Sequence, residues 1–218
     1  MKHVNLQIEN PIIKSAASFV IERERLSKKW FSSDVTFNQV YPLSIQLLAD
    51  KHWTKLEVSE MASNFLAAEK NVSILDIGSG VGKFCLSAAY FKPEAFYYGV
   101  EQRRNLICHA EKAKSTLHFK NVSFINSNFT QIDFKKYDHF YFYNSFYENI
   151  AGTTRIDDSI AYSSELFNYY NHYLFSQLNK KPSGTRLATF HSLEDEIPPA
   201  FHVVGSAMNN LLKFWIKV

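Results

Sequence analysis

The sequence predicts an α/β fold with a mainly parallel, seven-stranded sheet, an antiparallel last strand and an N-terminal helical extension. Short apolar segments alternate with helical patterns from residue 72 onward, and this alternation is typical of parallel strands joined by crossover helices. Residues 1–70 contain no strong strand pattern. The connection at 205–210, between the last two strand-like segments, is too short for a helical crossover, so that pair should be antiparallel.

The N-terminal residues 1–70 are expected to form a helical cap or lid, and residues 71–218 the sheet domain. Segments 11–30 and 43–69 have helical patterns, and apolar residues in the second recur about every three or four positions. Segment 33–42 is predicted to be a loop because it ends in an X-Pro step, which resists helix.

In the sheet domain, each predicted strand is a short apolar run, and each predicted helix has apolar residues at helical spacing. The strands are expected at 72–77, 96–101, 122–126, 138–143, 186–191, 201–204 and 212–218. Helices are expected at 83–91, 103–117 and 159–178. Pro93 closes the first of these helices, and Pro182-Ser-Gly184 is a turn before the fifth strand. Such strands and helices form a sheet covered on both faces.

Composition excludes several classes of protein. The 46% hydrophobic and 21% charged fractions are ordinary for a globular protein, and no apolar run reaches the ~18 residues of a transmembrane helix. Cys85 and Cys108 form neither a CxxC pair nor a disulfide framework, so a reducing cytoplasm is the expected compartment. The net charge of +3 is mild. The eight histidines show no metal-ligand spacing, and no metal site is expected.

Three of the seven glycines lie within five residues, in Ile74-Leu-Asp-Ile-Gly-Ser-Gly-Val-Gly-Lys83, between the first strand and the first helix of the sheet domain. A P-loop needs GxxxxGK[ST], but Gly78 and Gly82 are one residue too close and Lys83 is followed by Phe84. The dinucleotide fingerprint GxGxxG fits less well, because the third glycine comes one residue early. A dinucleotide site stays open as the alternative interpretation.

A third pattern places an acidic residue, Asp76, two positions before GxGxG. It resembles motif I of the seven-strand, Rossmann-like S-adenosylmethionine-dependent methyltransferases. The resemblance covers about 72–218, and the order of the predicted elements matches that family throughout. It implies a doubly wound sheet of strand order 3-2-1-4-5-7-6. It also implies S-adenosylmethionine as the cofactor, with S-adenosylhomocysteine as the product.

The resemblance also implies a set of cofactor-binding residues. The glycines let the backbone approach the cofactor, and the helix N-terminus beside them favours its carboxylate. Asp76 would take the amino group, directly or through water. Glu101, 25 residues later, would accept hydrogen bonds from both ribose hydroxyls. The expected binding residues are Asp76, Gly78, Ser79, Gly80, Gly82, Glu101, Gln102, Asn128, Phe129 and Tyr41.

Asn128 and Phe129 follow the third strand. The family often has an Asp here that meets the adenine amino group, and the Asn128 carbonyl could accept from the same amine. Phe129 would lie against the adenine ring. A strand-end turn for Asn128 and an ordinary core position for Phe129 stay open.

The fourth strand ends in Tyr143-Asn-Ser-Phe-Tyr147. Family members that methylate amino groups often carry Asn-Pro-Pro-aromatic at this position. Asn144 and Tyr147 match the first and last residues of that motif, whereas Ser145 and Phe146 replace both prolines. As expected catalytic residues, the Asn144 carbonyl would orient the lone pair of an amine, and the Tyr147 ring would hold the developing cation.

Two further expectations concern the rim of the site. Phe37 and Tyr41 could close over the cofactor, or the N-terminal helices could form a cap that only buries sheet surface. His191, at the end of the fifth strand, is interpreted as a rim histidine.

The predicted function is methyl transfer from S-adenosylmethionine to a nitrogen acceptor by direct displacement. GSGVG, Gly99-Val-Glu101 and Asn144 are also locally similar to the non-SET histone lysine methyltransferases, but no long basic tail is present. A protein side chain or small amine is the favoured acceptor, and nucleic acid stays a candidate. The alternatives are a nicotinamide-dependent oxidoreductase and a methyltransferase-like cofactor-binding protein without activity.

Overall fold

The computed structural model describes residues 28–192 and 194–218. In this part of the chain, seven strands form one sheet, in the order β3-β2-β1-β4-β5-β7-β6. The strands are β1 Ser73–Ile77, β2 Phe96–Glu101, β3 Val122–Asn126, β4 His139–Tyr143, β5 Arg186–Phe190, β6 Phe201–Ala207 and β7 Leu212–Lys217. The predicted sheet is therefore confirmed, and its strand ends agree within one residue except at β6, which continues to Ala207.

The pairing of the strands also agrees with the prediction. β1 pairs in parallel with β2 and β4, β2 with β3, and β4 with β5. β7 runs antiparallel to both β5 and β6. The chain therefore adds β2 and β3 on one side of β1 and β4 and β5 on the other, so the strand order reverses at β1. The crevice at such a switch point is where open α/β sheets bind ligands.

Helices cover both faces of the sheet. The described helices are α1 Asp34–Asn38, α2 Leu43–Gln46, α3 Ala49–His52, α4 Leu56–Leu66, α5 Lys83–Phe91, α6 Arg104–Leu117 and α7 Ser164–Asn179. One core joins α4, α5 and α6 to Ile74 and Tyr141, and a second joins α7 to Leu75 and Phe140. Neighbouring residues of one strand thus enter different cores, because successive side chains of a strand point to opposite faces.

The N-terminal region differs from its prediction. Segment 33–42, expected to be a loop, contains α1, because Ser33 caps that helix by accepting from the Thr36 N–H at 3.1 Å. Segment 43–69, expected to be one helix, is three helices. The last of them begins where the Asp34 carboxylate accepts from the Leu56 N–H at 3.1 Å. The helix predicted at 11–30 lies almost entirely outside the described residues.

Helix α7 begins five residues later than the predicted 159–178. The Ser163 hydroxyl accepts from the Leu166 N–H at 3.1 Å and so caps the helix. Residues 144–163 before it therefore form an irregular connection, in which Tyr147–Asn149 is a short 3₁₀ helix.

Lys83 docks the N-terminal helices on the sheet domain. Its side chain is buried, and its ammonium donates to Asp34 Oδ1 at 2.5 Å and to Asn38 Oδ1 at 3.0 Å. The ammonium also lies 5.4 Å from the Phe37 ring centre and 5.6 Å from that of Trp53. Lys83 occupies the third glycine position of the dinucleotide fingerprint. Its role here is therefore structural, in the packing of the N-terminal helices on the sheet domain.

Gly80 and Gly82 of the glycine motif differ in how much space a side chain would have. Gly80 and Gly82 both have positive φ, at 54° and 79°. A Cβ atom at Gly82 would lie 2.3 Å from Cζ of Phe124, whereas one at Gly80 would meet nothing within 4 Å. Gly82 is therefore required by the packing of α5 on β3, and Gly80 faces open space.

We expect Gly82→Ala to lower the free energy of unfolding by about 3 kcal/mol, because it adds an overlap with Phe124 to the cost of a left-handed backbone. Gly80→Ala should cost about 1 kcal/mol, since only its backbone is strained. Urea unfolding of the two variants side by side measures both values. Equal losses would contradict the assignment of Gly82 to packing.

Within the described residues, no helix combines the length and apolar character needed to cross a membrane. No group of three or more His, Cys, Asp or Glu side chains in the same ranges is arranged to hold a metal ion.

Candidate functional site

A cavity of about 520 Å³ lies at the carboxyl ends of the central strands. Both sides of the switch point contribute to its wall, β1 and β2 through the glycine motif and Glu101, and β4 and β5 through the residues that follow them. The structure brings together on this wall the following residues named from the sequence: Gly78, Gly80, Glu101, Gln102, Phe129, Asn144, Tyr147 and His191.

Glu101 is buried at the end of β2 and faces this cavity. Its Oε2 accepts from the Gly80 N–H at 3.3 Å, and its Oε1 accepts from the Arg103 N–H at 2.8 Å. Burial raises the pKa of Glu101, whereas the hydrogen bond and charge of Arg103 oppose that shift. The carboxylate is thus positioned by two backbone amides, and oxygen lone pairs stay available on its cavity side.

Asp76 lies beside this cavity and lines an adjoining space of about 30 Å³. Gly78, His52 and Tyr143 contribute to both spaces. Asp76 accepts a weak hydrogen bond from Sγ of Cys85 at 3.6 Å. Burial, with a smaller contribution from the charge of Glu101, raises the pKa of Asp76 to about 8. Its carboxyl is therefore a buried acid without a cationic partner among the described residues.

Ser79 lines the same small space, and its buried hydroxyl has no hydrogen-bond partner among the described residues. A buried hydroxyl without a partner is costly. A space of this size holds one water molecule. Ser79 and Asp76 thus leave hydrogen-bonding capacity unused at the turn between β1 and α5.

The raised pKa of Asp76 makes the stability of the ligand-free protein depend on pH. The folded state holds the Asp76 proton up to about pH 8, but the unfolded chain loses it near the ordinary value of 3.8. Stability from this residue is therefore complete at low pH and is lost as pH rises through that window. We expect Asp76→Asn to unfold several degrees higher than the natural protein at pH 9, and thermal unfolding between pH 6 and 9 measures this. Parallel curves for the two proteins would contradict it.

Asn128 does not line the cavity, which corrects its predicted position. Its Oδ1 accepts from the Thr130 N–H at 3.0 Å, and its Nδ2 donates to Tyr170 at 2.8 Å and to Gln102 at 3.0 Å. The amide is therefore used to cap the 3₁₀ helix Phe129–Gln131. Ser127 lines the cavity instead.

Tyr41 and Phe37 do not line either space, which corrects the expectation that they close over the cofactor. Both are buried in the core between the N-terminal helices and α5. The Tyr41 hydroxyl donates to the carbonyl oxygen of Val81 at 2.9 Å. Tyr41 therefore supports the glycine motif from the core, through its hydrogen bond to Val81.

Asn144 follows β4 with a left-handed backbone, at φ 39°. Asn144 lines the cavity, and its side-chain amide makes no hydrogen bond to a described residue. Tyr147 is half-exposed on the same wall, and its N–H donates to the Asn144 carbonyl oxygen at 3.1 Å. A strained backbone that presents an unpaired amide to a cavity is typical of a functional position.

The two residues that replace prolines between Asn144 and Tyr147 have structural partners. The Ser145 hydroxyl donates to the Ile77 carbonyl oxygen at 2.6 Å. Phe146 stacks on Phe129 with ring centres 4.8 Å apart. The turn after β4 is therefore held against β1 and the 3₁₀ helix that follows β3 by contacts that do not need proline.

The residues that sequence reasoning missed on the cavity wall include Lys51, His52, Tyr143 and Arg103. Burial lowers the pKa of His52 and raises that of Tyr143. His191, placed on the rim as predicted, lies with its ring 5.7 Å from that of Tyr143, and burial lowers its pKa. Tyr143 adjoins the Asn144 motif in the sequence, but nothing in the sequence indicates that α3 reaches the cavity.

Comparison with known proteins adds a family match and several structural likenesses. Residues 68–199 match a family model described as a methyltransferase domain. A search of curated proteins finds no match.

Three solved structures illustrate the likeness. TrmN from Thermus thermophilus aligns with a TM-score of 0.54 and 15% identity over 80% of this chain and 52% of its own, so this chain spans about half of that one. Precorrin-6y C5,15-methyltransferase from Geobacter metallireducens GS-15 aligns with a TM-score of 0.51 and 13% identity over 78% of this chain and 92% of its own. An RNA methyltransferase from Salinibacter ruber, solved with S-adenosylhomocysteine, aligns with a TM-score of 0.50 and 16% identity over 74% of this chain and 89% of its own. At these identities the likenesses show the fold alone.

Proposed function

The chain belongs to the methyltransferase-domain family, whose model matches more than half of it, and we propose that it transfers the methyl group of S-adenosylmethionine to a nitrogen acceptor by direct displacement. The enzyme class and the cofactor follow from the family. The nitrogen acceptor rests on one observation, that the unpaired amide of Asn144 shares a cavity with Glu101 and Gly80. The comparisons give no support to the local similarity with histone lysine methyltransferases.

The residues of the cavity fit the cofactor. Glu101 would offer carboxylate oxygens to the two ribose hydroxyls. Phe129, which is buried and stacks on Phe146, would lie against the adenine where it reaches the cavity wall. Gly80 leaves space for close approach because a Cβ atom there would meet nothing within 4 Å. The unpartnered Ser79 hydroxyl and Asp76 would serve the amino-acid end, with one water in the small space beside them. The bound cofactor supplies a methyl group on a sulfonium sulfur.

The remaining wall would hold the acceptor. The Asn144 carbonyl would accept a hydrogen bond from the acceptor N–H and so direct the nitrogen lone pair. The Tyr147 ring would stabilise the positive charge that develops on nitrogen. Alignment of nucleophile and methyl carbon, with water excluded, supplies most of the rate enhancement for such a displacement. We propose the same division of the chain as above, residues 1–70 being the helical cap and 71–218 the catalytic domain.

Three measurements test the function. Calorimetry with S-adenosylhomocysteine should show binding in the micromolar range, and a fluorescence titration with reduced nicotinamide cofactor should show none. Radiolabelled methyl transfer into a cell lysate, separated by size, should then label an acceptor. We favour a protein or small amine over nucleic acid. Size separates a small amine from a macromolecule, and protease or nuclease digestion of the labelled macromolecule distinguishes a protein from a nucleic acid.

Four results would overturn parts of this proposal. No heat with S-adenosylhomocysteine would contradict cofactor binding, and saturable binding of the nicotinamide cofactor would favour an oxidoreductase. Binding of S-adenosylhomocysteine without any labelled product would favour a cofactor-binding protein that has lost activity. Label attached to oxygen rather than nitrogen would contradict the assigned acceptor.

A further inference from the structure

The irregular connection between β4 and α7 forms one wall of the cavity through Glu148, Ile156, Ile160 and Tyr162. We call residues 148–162 the cover segment. Apart from the end of one 3₁₀ helix, it has no regular secondary structure. Contacts other than the backbone hydrogen bonds of a helix or sheet must therefore hold the cover segment against the cavity.

Arg103 holds the cover segment at three points. Its side chain is buried, and its guanidinium donates to Glu148 Oε2 at 2.6 Å, to the Tyr162 hydroxyl at 2.7 Å and to Asp157 Oδ1 at 3.2 Å. Glu148 Oε2 also accepts from the Ile156 N–H at 3.0 Å. These bonds join the start, middle and end of the segment at one cation.

Arg103 also contacts the carboxylate expected to bind the ribose. Its backbone N–H donates to Glu101 Oε1 at 2.8 Å, and its guanidinium lies 3.4 Å from the same oxygen. The Glu101 and Glu148 carboxylates thus share one guanidinium, through different nitrogen atoms. Without that cation the buried Glu101 and the partly buried Glu148 would repel each other.

We propose that Arg103 is a positioning residue that couples ribose binding at Glu101 to closure of the cover segment over the cavity. The inference rests on the proposed cofactor site. A cofactor between Glu101 and the Ile156–Tyr162 wall would contact both, so its affinity depends on the wall staying in place. By the reciprocity of linked equilibria, the bound cofactor must stabilise the closed segment to the same extent.

Hydrogen exchange of the cover segment, followed by mass spectrometry with and without S-adenosylhomocysteine, tests the coupling. In the natural protein the ligand should slow exchange across 150–162. In Arg103→Met, exchange there should be fast in both states, and affinity for S-adenosylhomocysteine should fall about tenfold, the loss of one charged hydrogen-bond partner. Arg103→Lys should restore part of both effects, because it retains the positive charge.

Arg104→Met is the matched control. Arg104 is the exposed neighbour of Arg103 at the start of α6 and does not line the cavity, and its variant should behave as the natural protein does. Tyr162→Phe removes one of the three anchors with little change in shape. It should speed exchange in the segment and serves as the test if Arg103→Met does not fold.

The outcomes separate this inference from the proposed function. If the natural protein does not bind S-adenosylhomocysteine, the cofactor site itself is wrong. If it binds but exchange across 150–162 is unchanged, the coupling is wrong and the cofactor site stands. Ligand-dependent protection that persists in Arg103→Met also overturns the role of Arg103. Where Tyr162→Phe replaces that variant, exchange across 150–162 as slow as in the natural protein overturns it.

Discussion

Replacing Glu101 by alanine is expected to weaken the binding of S-adenosylhomocysteine about 100-fold, because two hydrogen bonds to a charged group are lost. The structure places this carboxylate on the cavity wall, with Oε2 on the Gly80 N–H and Oε1 on the Arg103 N–H. No other carboxylate named from the sequence lines the main cavity, since Asp76 lies beside the smaller space. Isothermal titration calorimetry of the two proteins measures the change.

Two further variants make the Glu101 result specific. Glu101→Gln retains the size of the side chain and should lose about tenfold, since neutral hydrogen bonds are weaker than charged ones. Glu94→Ala removes an exposed acid paired with Lys70 at 2.7 Å and should bind as the natural protein does. An unchanged affinity in Glu101→Ala would show that the ribose lies elsewhere.

Replacing Asn144 by alanine is expected to lower the methyl-transfer rate by about 100-fold or more, as removal of an orienting hydrogen bond does in other enzymes. Affinity for S-adenosylhomocysteine should not change, because Asn144 is assigned to the acceptor and not to the cofactor. Single-turnover transfer of labelled methyl, measured with the acceptor fraction found in the lysate, gives the rate. Calorimetry on the same preparation gives the affinity.

Asn71→Ala is a matched control for this experiment. Asn71 is also a left-handed asparagine, at φ 62°, and its N–H donates to the Glu94 carbonyl oxygen. It does not line the cavity. Alanine costs similar backbone free energy at both positions, so a fall in rate at Asn144 alone identifies a role in the reaction. Equal rates in the two variants would make Asn144 structural.

Prediction from sequence succeeded where contacts are local or repeat along the chain. The strands and α5 were located closely because apolar periodicity depends on neighbouring residues. The antiparallel pairing of β6 with β7 followed from a short connection. The start of α7 was missed by five residues because the Ser163 cap was overlooked, although that signal is present in the sequence. The helix α1 was missed for the same reason, at Ser33.

Prediction was weaker for the direction of side chains at strand ends. Glu101 and Asn128 follow neighbouring strands, yet Glu101 faces the cavity and Asn128 turns to Thr130, Gln102 and Tyr170. A side-chain amide can make its hydrogen bonds within its own turn, and its polar groups are then not available to a ligand. Spacing along the chain cannot distinguish these two outcomes.

The sequence alone determined the order of strands and helices, the glycine motif, and the placement of Asp76 and Glu101 around it. These features depend on short stretches of the sequence, in which the spacing of residues reflects the period of a helix or strand or the geometry of a turn. Only the tertiary structure decided which residues surround the cavity. Lys83 meets Asp34 across 49 positions, and Arg103 meets Asp157 across 54. Such contacts form only when the chain has folded, because residues so far apart in the sequence meet only when packing of the elements between them offsets the entropy of closing a long loop.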